Sequence, residues 1–445
     1  MKKMMFALLL MLVLGGLMVA SGTVLGAVSV KEGKWNSSEM STTDLTKATL
    51  IAGDEYIFTY SGKGNVTWVI TNTKDHTENM YFGNPVKVSF GSAGEYEVVV
   101  KENGKVVYGP QKVKVHEGPL GMALALIGAG IAVGASGMGA AIGVGIAGAS
   151  GAAAIAEDSN RFKTAFIFQA FPQTQGIYGL LIGILILMYT GAFLGGLSPA
   201  ADVPVGAGLI AIGAGLSVGI AGLSAIGQGI VAGTGIGVTR KQGTLGKAVV
   251  FTVLPETQAI YGLLVAILLL QGMVAIINGN KMGEEYALAM GIAAVGVGLG
   301  MGLSGITAIG QGIAAASGSA ATAQQPKAFA SSMIFSVLPE TQSIYALLAG
   351  IIVIMSMGLM SGAVPSMAPY QSMLIGIGVI GIGFAVGLAG ISGIGQGITA
   401  GAGAAAYVKN PSTRTRSIVL SVMSETYAIF GLLIAILIML ALGVL

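Results

Sequence analysis

Three carboxylates lie inside segments of the chain that are otherwise apolar. Glu256, Glu340 and Glu425 each stand in a long run of aliphatic residues. A charged side chain at the centre of a bilayer costs ~2.5 to 3.5 kcal/mol on insertion scales, so each carboxylate needs polar partners or a function. A protonated, purely structural Glu is the alternative. Polar side chains recur around all three carboxylates, which favours a binding site.

The candidate partners carry oxygen and stand at repeated spacings. Thr and Gln follow Glu256 and Glu340 directly, and a Tyr stands five residues beyond each of these two carboxylates. Several neutral oxygens around one carboxylate suit a hard monovalent cation better than a proton, since a proton needs only the carboxylate and one acceptor. A Gln also precedes each of the three carboxylates by 28 or 29 residues, in a predicted companion helix: Gln228, Gln311 and Gln396.

The composition excludes several other chemistries. The chain has no cysteine, so disulfides, Cys-ligated zinc and thiol catalysis are ruled out. Both histidines, His76 and His116, lie outside the most apolar region. The glycine-rich runs are not followed by a Gly-Lys-Ser/Thr sequence, so we expect no phosphate-binding loop, no catalytic role and no cofactor. The net charge of +3 is too small to indicate a nucleic-acid partner.

The carboxylates belong to a repeat that defines the membrane part of the chain. The segments FPQTQGIYGLL, LPETQAIYGLL, LPETQSIYALL and MSETYAIFGLL are spaced 83 to 85 residues apart, and an earlier signature, AAIGVGI or an IGQGI variant, precedes each one. Each unit holds two long apolar segments around a short polar stretch, which predicts an all-α membrane fold of eight helices in four tandem hairpins. We number these hairpins 1 to 4, covering residues 119–200, 201–282, 283–367 and 368–445.

Glycine content predicts how the helices pack. The chain has 72 glycines in 445 residues and only 9% charged residues, a composition typical of a polytopic membrane protein rather than a soluble enzyme. The first segment of each hairpin is crowded with glycine at small-xxx-small spacing, which allows helix backbones to approach closely. We therefore expect the first helices to form a tightly packed inner layer.

Two further regions precede the hairpins. Residues 1–27 combine two lysines, an apolar run and small residues, which predicts a secretory signal peptide or an N-terminal anchor. Residues 28–117 are polar, with short β-rich runs between turn-like clusters, which predicts a small extracytoplasmic β-sandwich. This segment resembles an immunoglobulin-like module through Trp68 and Tyr96, which we interpret as packed core residues.

Charge in the loops predicts the orientation in the membrane. Between hairpins only Lys281 is basic. The excess of basic residues within the hairpin loops places those loops in the cytoplasm and the β-domain and C-terminus outside. An export signal would put the β-domain on the same side. Nine basic residues lie in the hairpin loops: Arg161, Lys163, Arg240, Lys241, Lys247, Lys327, Lys409, Arg414 and Arg416.

The repeated combination of IGQGI with PETQxIYxLL resembles the membrane-ring proteolipid (c/K type) of the V/A-type rotary ATPases. The resemblance covers residues 119–445. It implies a homo-oligomeric ring in the lipid bilayer of the cell membrane, turning against a stator of the a/I type and joined to the central stalk. In sodium-translocating members it implies a site made of Glu, two Gln, Thr, Tyr and a backbone carbonyl. The carbonyls would be those of Phe171, Leu254 and Leu338.

Hairpins 1 and 4 depart from this pattern in complementary ways. Hairpin 1 has Gln173 in place of Glu and Val144 in place of Gln, yet it keeps the Thr, Gln and Tyr. Hairpin 4 keeps Gln and Glu but has Tyr427 and Phe430 in place of Gln and Tyr. If each site joined groups of a single hairpin, only hairpins 2 and 3 would be complete.

Three complete sites result when neighbouring hairpins share each site. One hairpin then supplies Thr, Gln and Tyr, and the next supplies Gln and Glu. All missing groups fall at one interface, between hairpin 4 and hairpin 1 of the next chain. The predicted sites are Thr174, Gln175 and Tyr178 with Gln228 and Glu256; Thr257, Gln258 and Tyr261 with Gln311 and Glu340; and Thr341, Gln342 and Tyr345 with Gln396 and Glu425.

In hairpins 1 to 3, a proline directly precedes the position of the carboxylate, which is Gln173 in hairpin 1. Pro172, Pro255 and Pro339 lack an N–H, which interrupts the helical hydrogen bonds and predicts a bent helix near each site.

The function we expect is an ion-carrying rotor protein that binds Na⁺. The same ring coupled to protons is the alternative. A repeat-built channel or transporter is a third hypothesis. Inverted repeats or a continuous polar pore lining would favour it, but the repeats of this chain are parallel.

Overall fold

The computed structural model describes residues 50–58, 60, 65–195, 202–278, 284–359 and 369–445. The chain divides into two compact units, with the boundary after His116. The expected signal peptide or anchor at 1–27 lies outside the described residues, as does the beginning of the expected β-domain.

The first unit consists of two β-sheets. A five-stranded sheet has the order β1-β7-β6-β3-β4, and β2 pairs with β5 in a two-stranded sheet. All neighbouring strands are antiparallel except β1 and β7, which are parallel. The strands are β1 (Leu50–Ile51), β2 (Glu55–Phe58), β3 (Val66–Asn72), β4 (Glu78–Phe82), β5 (Val86–Ser89), β6 (Gly94–Glu102) and β7 (Lys105–His116).

Aromatic side chains fill the core between these sheets. Trp68 and Tyr96 are 2% and 5% exposed, as expected for core residues. Phe58 and Phe90 pack against them at ring-centroid distances of 5.5 and 5.0 Å. The prediction of a small β-domain is confirmed. The β-rich runs of the sequence correspond to β2, β3, β5 and β6. The sequence did not predict the other three strands, because β1 has only two residues, β4 shows no apolar alternation and β7 contains the turn-forming pair Gly109-Pro110.

In the described part of the second unit, eight helices are long and apolar enough to cross a membrane, which confirms four tandem hairpins. A short helical turn, Ala192–Gly195, follows the second of them. The eight are α1 (Pro119–Glu157), α2 (Ser159–Tyr189), α3 (Val205–Val238), α4 (Leu245–Ile277), α5 (Glu285–Gln324), α6 (Pro326–Ser356), α7 (Tyr370–Lys409) and α8 (Pro411–Leu442).

The helices form two layers. The first helices α1, α3, α5 and α7 pack side by side in chain order, and each second helix packs on the first helix of its own hairpin. The second helices α2, α4 and α6 also contact the first helix of the following hairpin. Each of these three helices therefore lies where neighbouring hairpins meet.

Glycine brings the first helices into backbone contact. A methyl group added at Gly128 would lie within 3.0 Å of the backbone of Ala211, and one at Gly213 would meet the backbone of Ala294 in the same way. Side chains at these positions would push the helices apart. The absence of a side chain therefore sets the spacing of the inner layer.

In each hairpin, a 3₁₀ turn interrupts the second helix at the position of the carboxylate, which is Gln173 in hairpin 1. Three of the four turns contain proline, as predicted, but the fourth contains Ser424 and forms the same turn. Proline is therefore compatible with the interruption but is not required for it. The turns are Phe171–Gln173, Leu254–Glu256, Leu338–Glu340 and Met423–Glu425. They separate the helical segments Phe162–Ala170 and Thr174–Tyr189, Leu245–Val253 and Thr257–Ile277, Phe329–Val337 and Thr341–Ser356, and Arg414–Val422 and Thr426–Leu442.

Three first helices also have a break, which the sequence did not predict. Helix α1 is continuous, whereas α3, α5 and α7 each change to turn geometry for two residues a few positions before the glutamine of the IGQGI signature. Both layers are thus irregular at the level of the carboxylates. The segments are Val205–Ala221 and Ser224–Val238, Glu284–Gly305 and Ala308–Gln324, and Pro369–Gly390 and Gly393–Lys409.

Candidate functional site

The first polar network, site A, joins hairpins 1 and 2. The Tyr178 hydroxyl donates to Oε1 of Glu256 at 2.7 Å, and Nε2 of Gln228 donates to Oε2 of the same carboxylate at 3.2 Å. Nε2 of Gln175 donates to Oε1 of Gln228 at 2.7 Å. The Thr174 hydroxyl donates to Oε1 of Gln175 at 3.1 Å. Five side chains from α2, α3 and α4 thus form one continuous network.

Site B repeats this network between hairpins 2 and 3. Tyr261 donates to Oε1 of Glu340 at 2.7 Å, and Gln311 donates to Oε2 at 3.1 Å. Gln258 donates its amide to Gln311 at 2.7 Å and accepts from the Thr257 hydroxyl at 3.1 Å. Each donor and acceptor matches its counterpart in site A.

Site C repeats it again between hairpins 3 and 4. Tyr345 donates to Oε1 of Glu425 at 2.9 Å, and Gln396 donates to Oε2 at 3.1 Å. Gln342 donates to Gln396 at 2.6 Å and accepts from Thr341 at 3.3 Å. The structure thus brings together every residue of the three predicted sets, and each set draws on two neighbouring hairpins.

The threonine hydroxyls also connect each network to the interrupted helix. Each threonine hydroxyl shares its single proton between the glutamine oxygen and a backbone carbonyl. Thr174 Oγ1 lies 3.0 Å from the carbonyl oxygen of Phe171, and those of Thr257 and Thr341 lie 2.9 and 3.2 Å from the carbonyl oxygens of Leu254 and Leu338. These carbonyl oxygens lie at the start of the 3₁₀ turns. The three carbonyl oxygens therefore lie directly beside the networks.

Burial differs between the amides and the carboxylates. All six network glutamines are at most 1% exposed. Glu425 is 9% exposed, whereas Glu256 and Glu340 are half-buried. A buried amide costs free energy unless it is hydrogen-bonded, and the networks supply those bonds. The amides therefore form a fixed framework behind carboxylates that lie nearer the surface.

The donor set determines what such a site can hold. Each network offers carboxylate, amide, hydroxyl and carbonyl oxygens, which are ligands for a hard cation. Among the described residues, no group of three or more His, Asp or Glu is close enough to hold a metal ion. A single negative charge with neutral oxygens is suited to one monovalent cation or one proton rather than to a multivalent metal.

The four departing residues lie at the two ends of the row of hairpins. Gln173 is exposed in the 3₁₀ turn of α2, and Val144 is half-buried on α1. Tyr427 and Phe430 are 66% and 56% exposed on α8, in an edge-to-face pair with ring centroids 6.2 Å apart. No fourth network forms among the described residues of one chain.

One polar contact beside site B was missed by the sequence reasoning. The Thr307 hydroxyl donates to the carbonyl of Pro339 at 2.7 Å, directly before Glu340. Thr307 stands four residues before Gln311 and thus on the same side of an ideal helix, which could have identified it. Ser224 and Ser392 occupy the same signature position, and their buried hydroxyls have no hydrogen-bond partner.

Comparison with protein families matches all four hairpins. The family of the ATP synthase C subunit matches residues 127–186, 212–269, 295–353 and 380–438, one stretch in each hairpin and together more than half of the chain. The matched stretches contain the carboxylates and glutamines of sites A, B and C.

Several characterised proteins are similar to the chain. The K subunit of the A-type ATP synthase of Methanocaldococcus jannaschii is 48% identical over 235 residues, which is 53% of this chain and 97% of that protein. The K subunit of the V-type sodium ATPase of Enterococcus hirae is 36% identical over 154 residues, 34% of this chain and 88% of that protein. The 16 kDa proteolipid of the V-type proton ATPase of Homo sapiens is 31% identical over 107 residues, 24% of this chain and 63% of that protein.

These matches agree with the eight apolar helices and with the repeated carboxylate networks. The relatives are proteolipid subunits, which are non-catalytic components of their complexes. The chain is therefore an integral membrane protein of the ATP synthase C subunit family, a V/A-type proteolipid with four tandem hairpins.

Proposed function

We propose that this chain is the ion-carrying component of a rotor ring and that it binds Na⁺ at Glu256, Glu340 and Glu425. The observation that carries the proposal is the threefold repetition of one oxygen-rich network around a membrane carboxylate. A carboxylate in an apolar span needs a partner, and a cation would neutralise it during passage through the bilayer.

The number of oxygens supports Na⁺ over H⁺. In site A, a carboxylate oxygen of Glu256, the amide oxygens of Gln228 and Gln175, the Thr174 hydroxyl and the Phe171 carbonyl are potential ligands. A proton would need only the carboxylate and one acceptor. The relatives include one named for a sodium ATPase and others named for proton ATPases, so coupling to protons is the competing proposal.

Each part of the network has a separate role in this proposal. The Tyr178 hydroxyl and the Gln228 amide hold the Glu256 carboxylate toward the buried amides, where it can share the cation. A cationic side chain of a stator, the group that the family resemblance implies, would compete for the same carboxylate. The ion would leave when Glu256 exchanges its internal partners for that group, and a new ion would restore them.

The assembly that this mechanism needs is a homo-oligomeric ring with a stator and a central stalk. The excess of basic residues in the hairpin loops supports their position in the cytoplasm, with the β-domain and the C-terminus on the other side. In that orientation the loops would contact the central stalk. The carboxylates would pass the stator within the bilayer.

Carbodiimide labelling tests the proposed ion. The reagent modifies protonated carboxyl groups, and a bound cation keeps a carboxylate ionised, so Na⁺ should slow labelling of all three glutamates at fixed pH. Potassium at equal ionic strength is the control. Protection by Na⁺ but not K⁺ supports the proposal. Labelling that responds to pH alone and not to Na⁺ would assign the ring to protons.

A further inference from the structure

Each first helix that supplies a network glutamine carries a hydroxyl four residues before it. The residues are Ser224 in hairpin 2, Thr307 in hairpin 3 and Ser392 in hairpin 4. Hairpin 1, which lacks both the glutamine and the carboxylate, has Ala140 at this position. The hydroxyl therefore accompanies the half-site, by which we mean the Gln and Glu that one hairpin supplies.

The break in the first helices lies at or directly before the same position. Helix α1 is continuous through Ala140, whereas α3, α5 and α7 tighten there to 3₁₀-type hydrogen bonding. In α5, for example, the N–H of Thr307 donates to the carbonyl of Ser304, three residues back, at 3.1 Å. The hydroxyl, the break and the half-site thus occur together in hairpins 2 to 4, and hairpin 1 has none of them. The breaks cover residues 222–223, 306–307 and 391–392.

The usual roles of Ser and Thr in helices do not account for these hydroxyls. Thr307 and Ser392 occupy the N-cap position of the segment that follows the break, but neither caps this described segment with a side-chain hydrogen bond. Inside a helix, a hydroxyl commonly donates to a carbonyl three or four residues back, as those of Ser136 and Thr252 do. Ser224 and Ser392 have no hydrogen-bond partner among the described residues, and Thr307 donates to the other helix of its hairpin.

The acceptor of the Thr307 hydroxyl is the carbonyl of Pro339, at 2.7 Å in a buried contact. This carbonyl belongs to the peptide bond between Pro339 and Glu340, within the 3₁₀ turn of α6. Helix α5 therefore holds the carboxylate residue at two points. Thr307 holds its backbone, and Gln311, four residues further on, donates to its Oε2 at 3.1 Å.

The neighbouring hairpin leaves room for threonine at this position in hairpin 3. A methyl group added at Gly393 would lie 2.7 Å from Cβ of Thr307 and 3.2 Å from the carbonyl oxygen of Pro339. Glycine at 393 therefore accommodates the larger side chain and its hydrogen bond. The equivalent positions of hairpins 2 and 3 hold Ser224 and Ala308, so there the extra methyl group belongs to the other helix.

We propose that Thr307 is a positioning residue that makes site B bind its cation more tightly than site A does. The γ-methyl group of threonine restricts rotation about χ1, so its hydroxyl stays on the Pro339 carbonyl, whereas the hydroxyl of a serine rotates more freely. A turn held in this way keeps Glu340 directed at its network partners before the cation arrives, and such preorganisation strengthens binding. Site A lacks this bond, since Ser224 has no partner among the described residues. The inference rests on the proposed binding of Na⁺.

Replacing Thr307 by Val tests the bond, because Val keeps the shape of the side chain and removes the hydroxyl. In assembled rings, the Na⁺ concentration that half-protects Glu340 from carbodiimide should rise about threefold to tenfold, as expected for the loss of one neutral hydrogen bond. Protection of Glu256 and Glu425 should not change. Thr322→Val is the matched control, since Thr322 is 2% exposed on the same helix and its hydroxyl has no partner among the described residues. It should leave all three carboxylates unchanged.

Glu425 distinguishes positioning from a packing defect. Thr307 lies against Gly393 of hairpin 4, so a variant that only disturbed this interface would weaken site C, which spans hairpins 3 and 4. Loss of positioning should instead appear at Glu340 alone. An equal change at Glu425 and Glu340, or unchanged protection of Glu340 in the Thr307→Val variant, would overturn the proposal.

The reverse exchange should build the bond in hairpin 2. Ser224→Thr together with Ala308→Gly reproduces the threonine and glycine pair beside the carbonyl of Pro255, which directly precedes Glu256. The Na⁺ concentration that half-protects Glu256 should then fall several-fold, and Ala308→Gly alone should not lower it. A double variant in which Glu256 needs as much Na⁺ as in the wild type would contradict the role of the threonine.

Labelling without Na⁺ separates this inference from the proposed function. At fixed pH in Na⁺-free buffer, Glu340 should react several-fold faster in the Thr307→Val variant than in the wild type, because its carboxylate leaves the network more often. If Na⁺ protects no carboxylate of the wild type but this difference persists, the proposed function fails and the positioning role stands. If Na⁺ protects all three carboxylates but Thr307→Val leaves Glu340 unchanged in both buffers, the proposed function stands and the positioning role fails.

Discussion

At the scale of single residues, the carboxylates are held by partners from different hairpins. Glu256 lies on α4, but its Tyr178 donor lies on α2, and the Gln175 that supports Gln228 also belongs to the preceding hairpin. A side chain can therefore influence a carboxylate that is far from it in sequence. This dependence can be tested one residue at a time.

Replacing Gln175 by Leu should weaken Na⁺ protection of Glu256. The substitution removes an amide oxygen and leaves the buried Gln228 oxygen without its donor, a loss of about 1 to 3 kcal/mol, which is about fivefold to 150-fold in affinity. Site-resolved carbodiimide labelling in Na⁺ would show that Glu256 reacts while Glu340 and Glu425 remain protected. The exposed Gln271 provides the control, since Gln271→Leu on α4 should change none of the three. Full protection of Glu256 in the Gln175→Leu variant would contradict the shared site.

Replacing Tyr178 by Phe should loosen the same carboxylate without removing a proposed ligand. The ring is kept and only the hydroxyl that donates to Glu256 is lost. A hydrogen bond to a charged group is worth about 1.5 to 3 kcal/mol, so labelling of Glu256 at limiting Na⁺ should accelerate about tenfold or more. Tyr189→Phe, at an exposed position on the same helix, should have no effect. A wild-type labelling rate for Tyr178→Phe would show that the hydroxyl does not hold the carboxylate.

The sequence predicted which side chains meet in the three networks, because repetition limits the choices. Hairpins 1 and 4 lack complementary halves of the pattern, so only a shared arrangement completes three sets. Repetition did not reveal Thr307, because its contact is with the backbone of Pro339 and the equivalent serines have no hydrogen-bond partner. A hydroxyl–carbonyl contact depends on local backbone geometry, which a residue pattern does not specify.

At the scale of helices, glycine content predicted close packing but not which glycines meet which helix. The sequence also did not predict the break in α3, α5 and α7, because no proline lies there. Helix α1 lacks this break. The sequence predicted a bend in the second helices from proline, but Met423–Glu425 forms the same 3₁₀ turn with serine. Proline therefore accounts for only some of these irregularities.

Replacing Gly213 by Leu should disrupt the contact between hairpins 2 and 3. Its side chain would meet the backbone of Ala294, and such overpacking typically costs about 1 to 3 kcal/mol. We expect a lower unfolding temperature of the purified protein and weaker Na⁺ protection of Glu340, whose site spans this contact. Gly237→Leu is the control on the same helix, since nothing lies within 4 Å of that position. Equal stability of the two variants would contradict the packing role of Gly213.

At the scale of the whole molecule, four hairpins carry three carboxylates. A rotor built from this chain carries fewer ions per turn than one with a carboxylate in every hairpin. If a full turn consumes a fixed amount of ATP, the free energy available to each ion is larger. Such a ring can sustain a steeper ion gradient, which favours pumping over ATP synthesis.

Restoring the fourth site should lower the limiting gradient. The change requires Gln173→Glu and Val144→Gln in hairpin 1, with Tyr427→Gln and Phe430→Tyr in hairpin 4. The reconstituted enzyme at a fixed ATP/ADP ratio should then hold a smaller static Na⁺ gradient, since the same free energy is divided among more ions. The two hairpin 1 substitutions alone provide the comparison, because they leave the site without its Gln and Tyr. An unchanged gradient in the fourfold variant would contradict this account of the missing carboxylate.

The rotor proposal requires three shared sites per chain that each bind one Na⁺. Imaging of the isolated ring at high resolution, in Na⁺ and in a Na⁺-free buffer, tests it most directly because occupancy and ring composition are measured together. We predict Na⁺-dependent density beside Glu256, Glu340 and Glu425, in contact with the paired glutamines, and none between Tyr427 and Gln173 of adjacent copies. Networks that look the same in both buffers, with no density among their oxygens, would contradict the claim.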